Sequence, residues 1–282
     1  GHREFNDELL WAAQLLSTYG IDSLHGDFDE FQDLGVSIKS AHITFEPFKE
    51  ETFDASRVLR FLYDVLKNNS YTIAAICERL NIVDLQSIQP TYMPYYSSVK
   101  LGNDSLDQLI SLFLVRGSIA KNEAINMFGK DLLQLLFDLK VFYYREDKIA
   151  SYIDIFCVED HFIATDHRFL FLEEDQIDES PVMYIGSDSF GLVNTAPRRS
   201  SKRTLDLCTG SGIQSIIASK YSQEVVAVDI NPRAIRFARF NAQLNGVENI
   251  KVVQGDLYQV VPDQTFDTIL ANPPFVPSPD EN

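Results

Sequence analysis

After Pro181, short runs rich in β-branched residues alternate with segments whose apolar residues recur at helical spacing. The runs are RTLDLCT, EVVAVDI, NIKVVQGD and DTILA, and the helical segments include GIQSIIASKY and NPRAIRFARFNAQLNG. Strands that alternate with helices form parallel sheets, so this pattern predicts an α/β fold. The second helix has clear limits, because Asn231 can cap its start and Asn245-Gly246 can close it in a left-handed conformation.

The first 180 residues follow a different pattern, in which apolar residues recur mostly at helical spacing. We expect helices over 5–18, 55–67, 71–80, 105–115, 118–128 and 130–139, and strands over 141–145 and 149–158. Three short helices followed by two strands around a polar turn predict a winged-helix-like part over about 105–170. The acidic, turn-prone stretch 171–181 is typical of a linker. The sequence therefore predicts a mostly helical N-terminal domain, 1–180, and an α/β domain, 181–282.

Composition limits the cellular compartment and the cofactors that we expect for this chain. The chain has 282 residues, 45% of them hydrophobic, yet no apolar run approaches the roughly 20 residues of a membrane-spanning helix, and the N-terminus lacks a secretory pattern. Cys77, Cys157 and Cys208 lie far apart, and no His or Cys pair has metal-ligand spacing. We therefore expect a cytoplasmic protein that uses no metal and does not associate with a membrane.

The negative charge is concentrated in the predicted N-terminal domain. Residues 1–180 carry 15 Lys and Arg against 31 Asp and Glu, whereas residues 181–282 carry 9 against 10. Because so acidic a surface repels phosphate, we expect the winged-helix-like part to serve protein docking or architecture, and DNA is a less favoured partner. A short basic stretch, RRSSKR at 198–203, could still contact RNA.

The first strand of the α/β domain ends in the run from Asp206 to Gly212, DLCTGSG. Ligands of such sheets collect at the carboxyl ends of the strands, and the glycines permit a tight turn and close approach to the backbone. That spacing alone fits a dinucleotide site, a methyl-donor site or plain packing. Ser215 stands where a nicotinamide site needs glycine, which favours the methyl donor. Asp206 suits the amino group of S-adenosylmethionine, although it could instead cap the turn.

Two later strands also end in aspartate. Asp229 could accept both hydroxyls of a ribose, or it could cap the following helix. Asp256 could accept from the exocyclic amine of an adenine, or it could be an ordinary loop residue. In this order along the chain, the three carboxylates are typical of a site for one nucleoside held across the sheet.

The fourth strand ends in Asn272-Pro273-Pro274-Phe275. A sheet order of 3-2-1-4 would place this end beside the glycine turn. Two prolines stiffen the loop and remove backbone donors, so the Asn272 side chain and a proline carbonyl could accept from the N–H groups of a planar nitrogen. Such bonds would direct its lone pair at a methyl group while Phe275 stacks on it. The alternative is that the two prolines only end the strand and that Phe275 is a buried core residue.

Residues 181–282 resemble the first half of a class I S-adenosylmethionine-dependent methyltransferase, of the group that carries an Asn-Pro-Pro-Tyr motif, here with Phe for Tyr. The resemblance implies S-adenosylmethionine as cofactor, catalysis at 272–275, and an acceptor nitrogen on protein glutamine, an RNA base or adenine in DNA. The segment PVMYIGSDSFGLV at 181–193 resembles the part that such enzymes place over the methionine end of the cofactor. The implied cofactor-binding residues are Asp206, Cys208, Thr209, Gly210, Gly212, Asp229, Ile230, Asp256, Leu257, Asn272, Gly186 and Asp188.

The resemblance stops short of a whole domain, because members of this group continue past the motif to three further strands. We therefore expect the chain to be part of a longer protein and to lack full activity alone. Two other functions stay open: a non-catalytic binding module built on a vestigial methyl-donor fold, and, less favoured, a nicotinamide-dependent oxidoreductase. The sequence indicates no oligomeric state.

Overall fold

Seven helices and nine strands are described in the computed structural model, which covers residues 56–89, 92–168 and 181–274. The helices are α1 (Ser56–Asn68), α2 (Ile73–Leu80), α3 (Ser105–Phe113), α4 (Lys121–Asp138), α5 (Ser187–Thr195), α6 (Ile213–Ala218) and α7 (Pro232–Asn245). The strands are β1 (Ser118–Ala120), β2 (Phe142–Arg145), β3 (Lys148–Ser151), β4 (Ile153–Val158), β5 (His161–Asp166), β6 (Ser201–Leu207), β7 (Ser222–Asp229), β8 (Ile250–Gln254) and β9 (Thr268–Ala271). Short helical turns lie at Leu85–Ser87, Met93–Lys100 and Leu257–Val260.

The middle of the chain follows the predicted order of helices and strands, with one correction at the second helix. Residues 118–120 are extended and pair with β3 in an antiparallel sheet ordered β1-β3-β2, so the predicted helix over 118–128 starts only at Lys121. It starts there because the Glu123 carboxylate accepts from the backbone N–H of Ala120. Gly129, with φ 70° and ψ 166°, breaks α4 between the two predicted helices. The winged-helix assignment itself stays a prediction.

The predicted strand over 149–158 is wrong as a single element. The Ser151 hydroxyl bonds to both the N–H and the carbonyl of Ile153, and the chain changes direction there. Its first half, β3, pairs with β2, whereas its second half, β4, pairs with β5 in a separate antiparallel hairpin. Strand β5 is not among the elements predicted from the sequence, and every residue of β4 and β5 is buried.

A four-stranded parallel sheet, ordered β8-β7-β6-β9, forms the C-terminal part. In chain order this is 3-2-1-4, so the predicted fold class and strand order are confirmed. Leu205 and Leu207 of β6 pack with valines of β7 in one core cluster, and Leu270 of β9 packs in a second. Helix α7 has the predicted ends, because Asn231 accepts from the Arg233 N–H and Gly246 is left-handed with φ 66°.

Elements from both sides of the predicted domain boundary pack against each other. The Arg233 guanidinium of α7 forms a buried pair with Asp166 at the end of β5, with Nε to Oδ2 at 2.7 Å and Nη2 to Oδ1 at 2.5 Å. Asp166 Oδ2 also accepts from the Val182 N–H at 2.7 Å. The division into domains at residue 180 stays a prediction. The predicted helix over 5–18 and most of the predicted linker lie outside the described residues.

Within 56–89, 92–168 and 181–274, no helix combines the length and the apolar character needed to cross a membrane. The same ranges contain no group of three or more His, Cys, Asp or Glu side chains placed to hold a metal ion.

Candidate functional site

The turn after β6 has a left-handed backbone at three of its residues. Cys208, Gly210 and Gly212 have φ values of 54°, 55° and 82°. A Cβ atom added at Gly212 would lie 3.1 Å from Cβ of Ala238 on α7, so glycine is needed for close packing there. A Cβ added at Gly210 would meet nothing within 4 Å, so the backbone of the turn is open on that side.

Asp206 points into the protein beneath this turn. Its Oδ2 accepts from the Thr209 hydroxyl at 2.6 Å and from the N–H and hydroxyl of Ser215 at 3.0 and 2.6 Å. The residue is 1% exposed, and burial raises the pKa of its carboxyl to about 6, although the bonds from Ser215 and Thr209 lower it. These contacts support the capping role that the sequence left open for Asp206 and give Thr209 the same structural task. Direct contact of either side chain with a ligand remains a prediction.

Asp229, at the end of β7, holds two loops in place. Its Oδ2 accepts from the Gly210 N–H at 2.8 Å, and its Oδ1 accepts from the Asn231 N–H at 3.0 Å. Asn231 itself caps α7, so Asp229 is not the helix cap. The carboxylate stays partly exposed beside the open side of the glycine turn, where each oxygen keeps a lone pair for a further donor.

A small cavity joins the ends of the first three strands of the sheet. Its walls are formed by Cys208, Val228, Asp229, Ile230, Gly255, Asp256 and Leu257. Ile230 and Leu257 are 67% and 45% exposed, which is unusual for large apolar side chains beside a carboxylate. The structure therefore brings five predicted residues together around this cavity: Cys208, Asp229, Ile230, Asp256 and Leu257. Asp256 Oδ2 accepts from the Gln259 amide at 2.6 Å.

Asn272 directly follows β9, whose last residue, Ala271, pairs with Leu207 of β6. The fourth strand end therefore lies next to the glycine turn, as predicted from the sheet order. The Asn272 Nδ2 donates to Oδ2 of Asp188 at 2.7 Å, and this bond leaves its Oδ1 as the acceptor of the amide. Pro273 and Pro274 are exposed, and Phe275 lies outside the described residues.

Asp188 belongs to the first turn of α5, which starts after Gly186. A Cβ added at Gly186 would lie 2.6 Å from Asp188 Oδ1, so glycine lets the aspartate fold back over the start of the helix. The Gln214 amide of α6 donates to the Ser189 carbonyl at 3.0 Å and ties α5 to the helix after the glycine turn. The segment before β6 thus lies beside Asn272.

Basic residues of the stretch 198–203 are engaged with acceptors of the same chain. Arg198 pairs with Glu159, and Arg203 pairs with Glu224 at 2.7 Å. Arg199 donates to the Asp267 carbonyl at 2.5 Å. These pairs reduce the positive potential that this stretch can offer to a phosphate backbone.

Sequence reasoning missed three residues that support the site. Ser215 appeared only as a missing glycine, but it is a donor to Asp206. Asn241 of α7 bonds both to strand β5 and to the carbonyl of Ser211 in the glycine turn. Asp166 anchors α7 through Arg233. The sequence offers only the spacing of Asn241 and Asn245, which stand one helical turn apart, and that spacing alone does not indicate burial.

A parallel sheet ordered 3-2-1-4, with a glycine turn and carboxylates at successive strand ends, defines a Rossmann-like α/β protein. Residues 185–281 match the family model of the methyltransferase small domain. This match confirms the resemblance that the motifs of the sequence indicate. It covers about a third of the chain, all of it in the predicted α/β domain.

Among curated proteins, the chain is similar to methyltransferases. A candidate protein N5-glutamine methyltransferase of Methanocaldococcus jannaschii is 39% identical over 95 residues, 33% of this chain and 47% of that protein. The release factor glutamine methyltransferase of Clostridium acetobutylicum is 38% identical over 80 residues, 27% of this chain and 28% of that protein. An uncharacterized RNA methyltransferase of Protochlamydia amoebophila is 33% identical over 81 residues, 27% of this chain and 19% of that protein. The chain thus matches less than half the length of these relatives.

Proposed function

We propose that this chain carries the cofactor-binding half and the acceptor motif of an S-adenosylmethionine-dependent N-methyltransferase. One observation carries the proposal: Asn272, at the end of β9, lies next to the glycine turn after β6 and presents its amide oxygen with its nitrogen bonded to Asp188. A plain strand terminator needs neither this neighbour nor an oriented amide. The proposal includes a planar nitrogen of an amide or an aromatic amine as the methyl acceptor.

The residues of the cavity suit an adenosine-containing cofactor. Asp229 has lone pairs available beside the open side of the turn at Gly210, which fits the hydroxyls of a ribose. Ile230 and Leu257 offer exposed apolar faces, between which a flat base would lose its contact with water. S-adenosylmethionine, when bound, would supply a methyl group made electrophilic by its sulfonium. A nicotinamide cofactor fits less well, because the third glycine of its turn is replaced by Ser215, whose N–H and hydroxyl are engaged by Asp206.

The task of Asn272 would be to orient the acceptor nitrogen. Its Oδ1 can accept one N–H of a planar amide or amine, and the carbonyl of Pro273 can accept the other, as the sequence predicts. These bonds would favour a pyramidal nitrogen with its lone pair directed away from the two acceptors. No covalent enzyme intermediate is needed. Cys208 lies in the glycine turn, and burial, followed by the charges of Asp229 and Asp206, raises the pKa of its thiol and so disfavours the nucleophilic thiolate.

We favour a protein glutamine over an RNA base as the acceptor. The front part of the chain is strongly acidic, and Arg198 and Arg203 of the basic stretch are paired with carboxylates. A phosphate backbone therefore meets little positive charge at these two residues. The similarity to a release factor glutamine methyltransferase supports the same choice, while the similarity to an RNA methyltransferase makes RNA the outcome to test against it.

The test begins with calorimetric titration of S-adenosylmethionine, and separately of NAD, into the full-length protein. We expect binding of the first and none of the second. Binding of NAD alone would support an oxidoreductase, and binding of neither would support a non-catalytic module. Cell extract is then incubated with the protein and methyl-labelled cofactor, and the product is divided between nuclease and protease. Label released by protease alone supports a protein acceptor, whereas label released by nuclease alone would replace it with RNA or DNA.

A further inference from the structure

One buried side chain of α7, that of Asn241, bonds to strand β5 and to the glycine turn at the same time. Its Oδ1 accepts from the Ala164 N–H at 2.8 Å, and its Nδ2 donates to the Ala164 carbonyl at 2.8 Å. The second hydrogen of Nδ2 goes to the Ser211 carbonyl, also at 2.8 Å. Asn241 is 0% exposed, so every bond of this amide is made inside the protein. Because the Ala164 N–H is a donor, the atom of the Asn241 amide that faces it must be the oxygen.

Asn245 makes the same pair of bonds one helical turn later. Its Oδ1 accepts from the Phe162 N–H at 2.9 Å, and its Nδ2 donates to the Phe162 carbonyl at 2.8 Å. Two residues of a strand and four residues of a helix both span roughly 6–7 Å. Asn241 and Asn245 can therefore form the hydrogen bonds that a neighbouring strand would form with the edge of β5. The remaining hydrogen of Asn245 goes to the carbonyl of Asn241 within α7. Only Asn241 continues to the turn.

The same face of α7 also packs directly on the glycine turn. Ala238 lies against Gly212 so closely that a methyl group at Gly212 would sit 3.1 Å from its Cβ. At the start of the helix, Arg233 binds Asp166 at the end of β5. Helix α7 is therefore held by β5 along its length, and it touches the turn at two consecutive residues, Ser211 and Gly212.

We propose that Asn241 is a positioning residue that holds the glycine turn in its ligand-binding shape and that β5 is the support against which it does so. The identity of the ligand, an adenosine-containing cofactor, rests on the proposed function. The positioning role concerns the free protein and can be measured without any ligand. Strand β5 thereby becomes part of the scaffold of the cofactor site, although it lies on the other side of the predicted domain boundary.

The matched variants are Asn241→Ala and Asn245→Ala in the full-length protein. Each removes two bonds to β5, but only the first also removes the bond to the Ser211 carbonyl. Hydrogen exchange, without ligand, is followed in peptides that contain Gly212, whose N–H donates to the Thr209 carbonyl at 2.8 Å. We expect exchange at the turn to be about 10-fold faster or more in Asn241→Ala, and within about 2-fold of the parent in Asn245→Ala.

Affinity for S-adenosylhomocysteine, measured by calorimetry, should fall about 10-fold or more in Asn241→Ala alone. Equal effects of the two variants on exchange, or no effect of either, would overturn the positioning role. If Asn241→Ala does not fold, Asn241→Ser and Asn245→Ser replace the pair, because serine is neutral and its single hydroxyl hydrogen can replace at most one of the donated bonds. If the parent does not bind S-adenosylhomocysteine, the proposed function fails, and the exchange comparison still decides the role of Asn241.

Discussion

Gly210 and Gly212 lie two residues apart in one turn, yet the structure predicts different consequences for a methyl group added at each. Both have left-handed backbones, with φ of 55° and 82°. At Gly212 the new Cβ would lie 3.1 and 3.2 Å from Cβ and Cα of Ala238, and the Cα cannot move without shifting α7. At Gly210 it would meet nothing within 4 Å. The two alanine variants therefore share the backbone strain and differ in packing.

The magnitudes follow from these two contributions to the free energy of unfolding. A left-handed alanine costs about 1–2 kcal/mol relative to glycine at either position. Overpacking against Ala238 adds about 1–3 kcal/mol at Gly212 only. We therefore expect Gly210→Ala to lose about 1–2 kcal/mol and Gly212→Ala about 2–5 kcal/mol. Affinity should follow the opposite order, because the methyl group at 210 enters the open side of the turn where the cofactor is proposed to bind.

Urea unfolding of both variants and of the parent measures the first effect, and calorimetric titration with S-adenosylhomocysteine measures the second. Each calorimetric titration is done under conditions in which the parent and both variants are folded, so that only folded protein is compared. A loss of stability for Gly210→Ala equal to that for Gly212→Ala would refute the argument from close packing. Unchanged affinity in Gly210→Ala would show that the open side of the turn is not the ligand side.

Three further predictions concern single side chains. Asn272→Ala should lower methyl transfer by the full-length enzyme roughly 10²–10³-fold and leave cofactor affinity nearly unchanged. Undiminished transfer would contradict the role of Asn272. Asp188→Asn is the matched control, because it keeps an oxygen that can accept from Nδ2 of Asn272. Because burial raises the pKa of Asp206 to about 6 from a usual 3.8, its protonated form stabilises the fold below about pH 4, and this contribution is lost as pH rises through 6. Urea unfolding should therefore show the parent losing up to about 3 kcal/mol relative to Asp206→Asn between pH 4 and 7, and a constant difference would contradict this. Alkylation of Cys208 at pH 8.5, followed by mass spectrometry, should slow about 10-fold with S-adenosylhomocysteine at ten times its Kd, while Cys77 reacts at an unchanged rate; equal protection of both thiols would argue against the cavity as the site.

The sheet and its strand ends could be predicted because their signals are local. β-branched runs, a glycine turn and a capped helix each depend on a few neighbouring residues, and the rules of parallel sheets then bring the strand ends together. The direction of Asp206 was harder to predict. Alternation along β6 separates it from Leu205 and Leu207, but only the packing of α6, through Ser215, decides that its side of the sheet is closed to solvent.

Strand β5 illustrates a different limit of the sequence. Its residues, HFIATD, have no strict alternation, because both faces of the strand are buried, and a fully buried run of six carries no periodic signal. The break between β3 and β4 likewise depends on hydrogen bonds of Ser151 to Ile153 that no spacing of apolar residues predicts. Both errors concern the hairpin on which α7 rests.

Asn241 and Asn245 explain why this hairpin and the methyltransferase-like sheet need each other. On a helix, two asparagines four residues apart usually indicate a solvent-facing stripe. Side-chain amides at this spacing can also pair with the backbone N–H and C=O groups along an unpaired strand edge. The edge of β5 that faces away from β4 pairs with no other strand of the described residues, and the Asn241 and Asn245 side chains satisfy four of its backbone groups. Apolar residues at these positions would bury those groups without partners, at a cost of about 1–3 kcal/mol each. The polar residues of α7 are therefore a requirement of the strand edge, and the glycine turn receives its support from the same requirement.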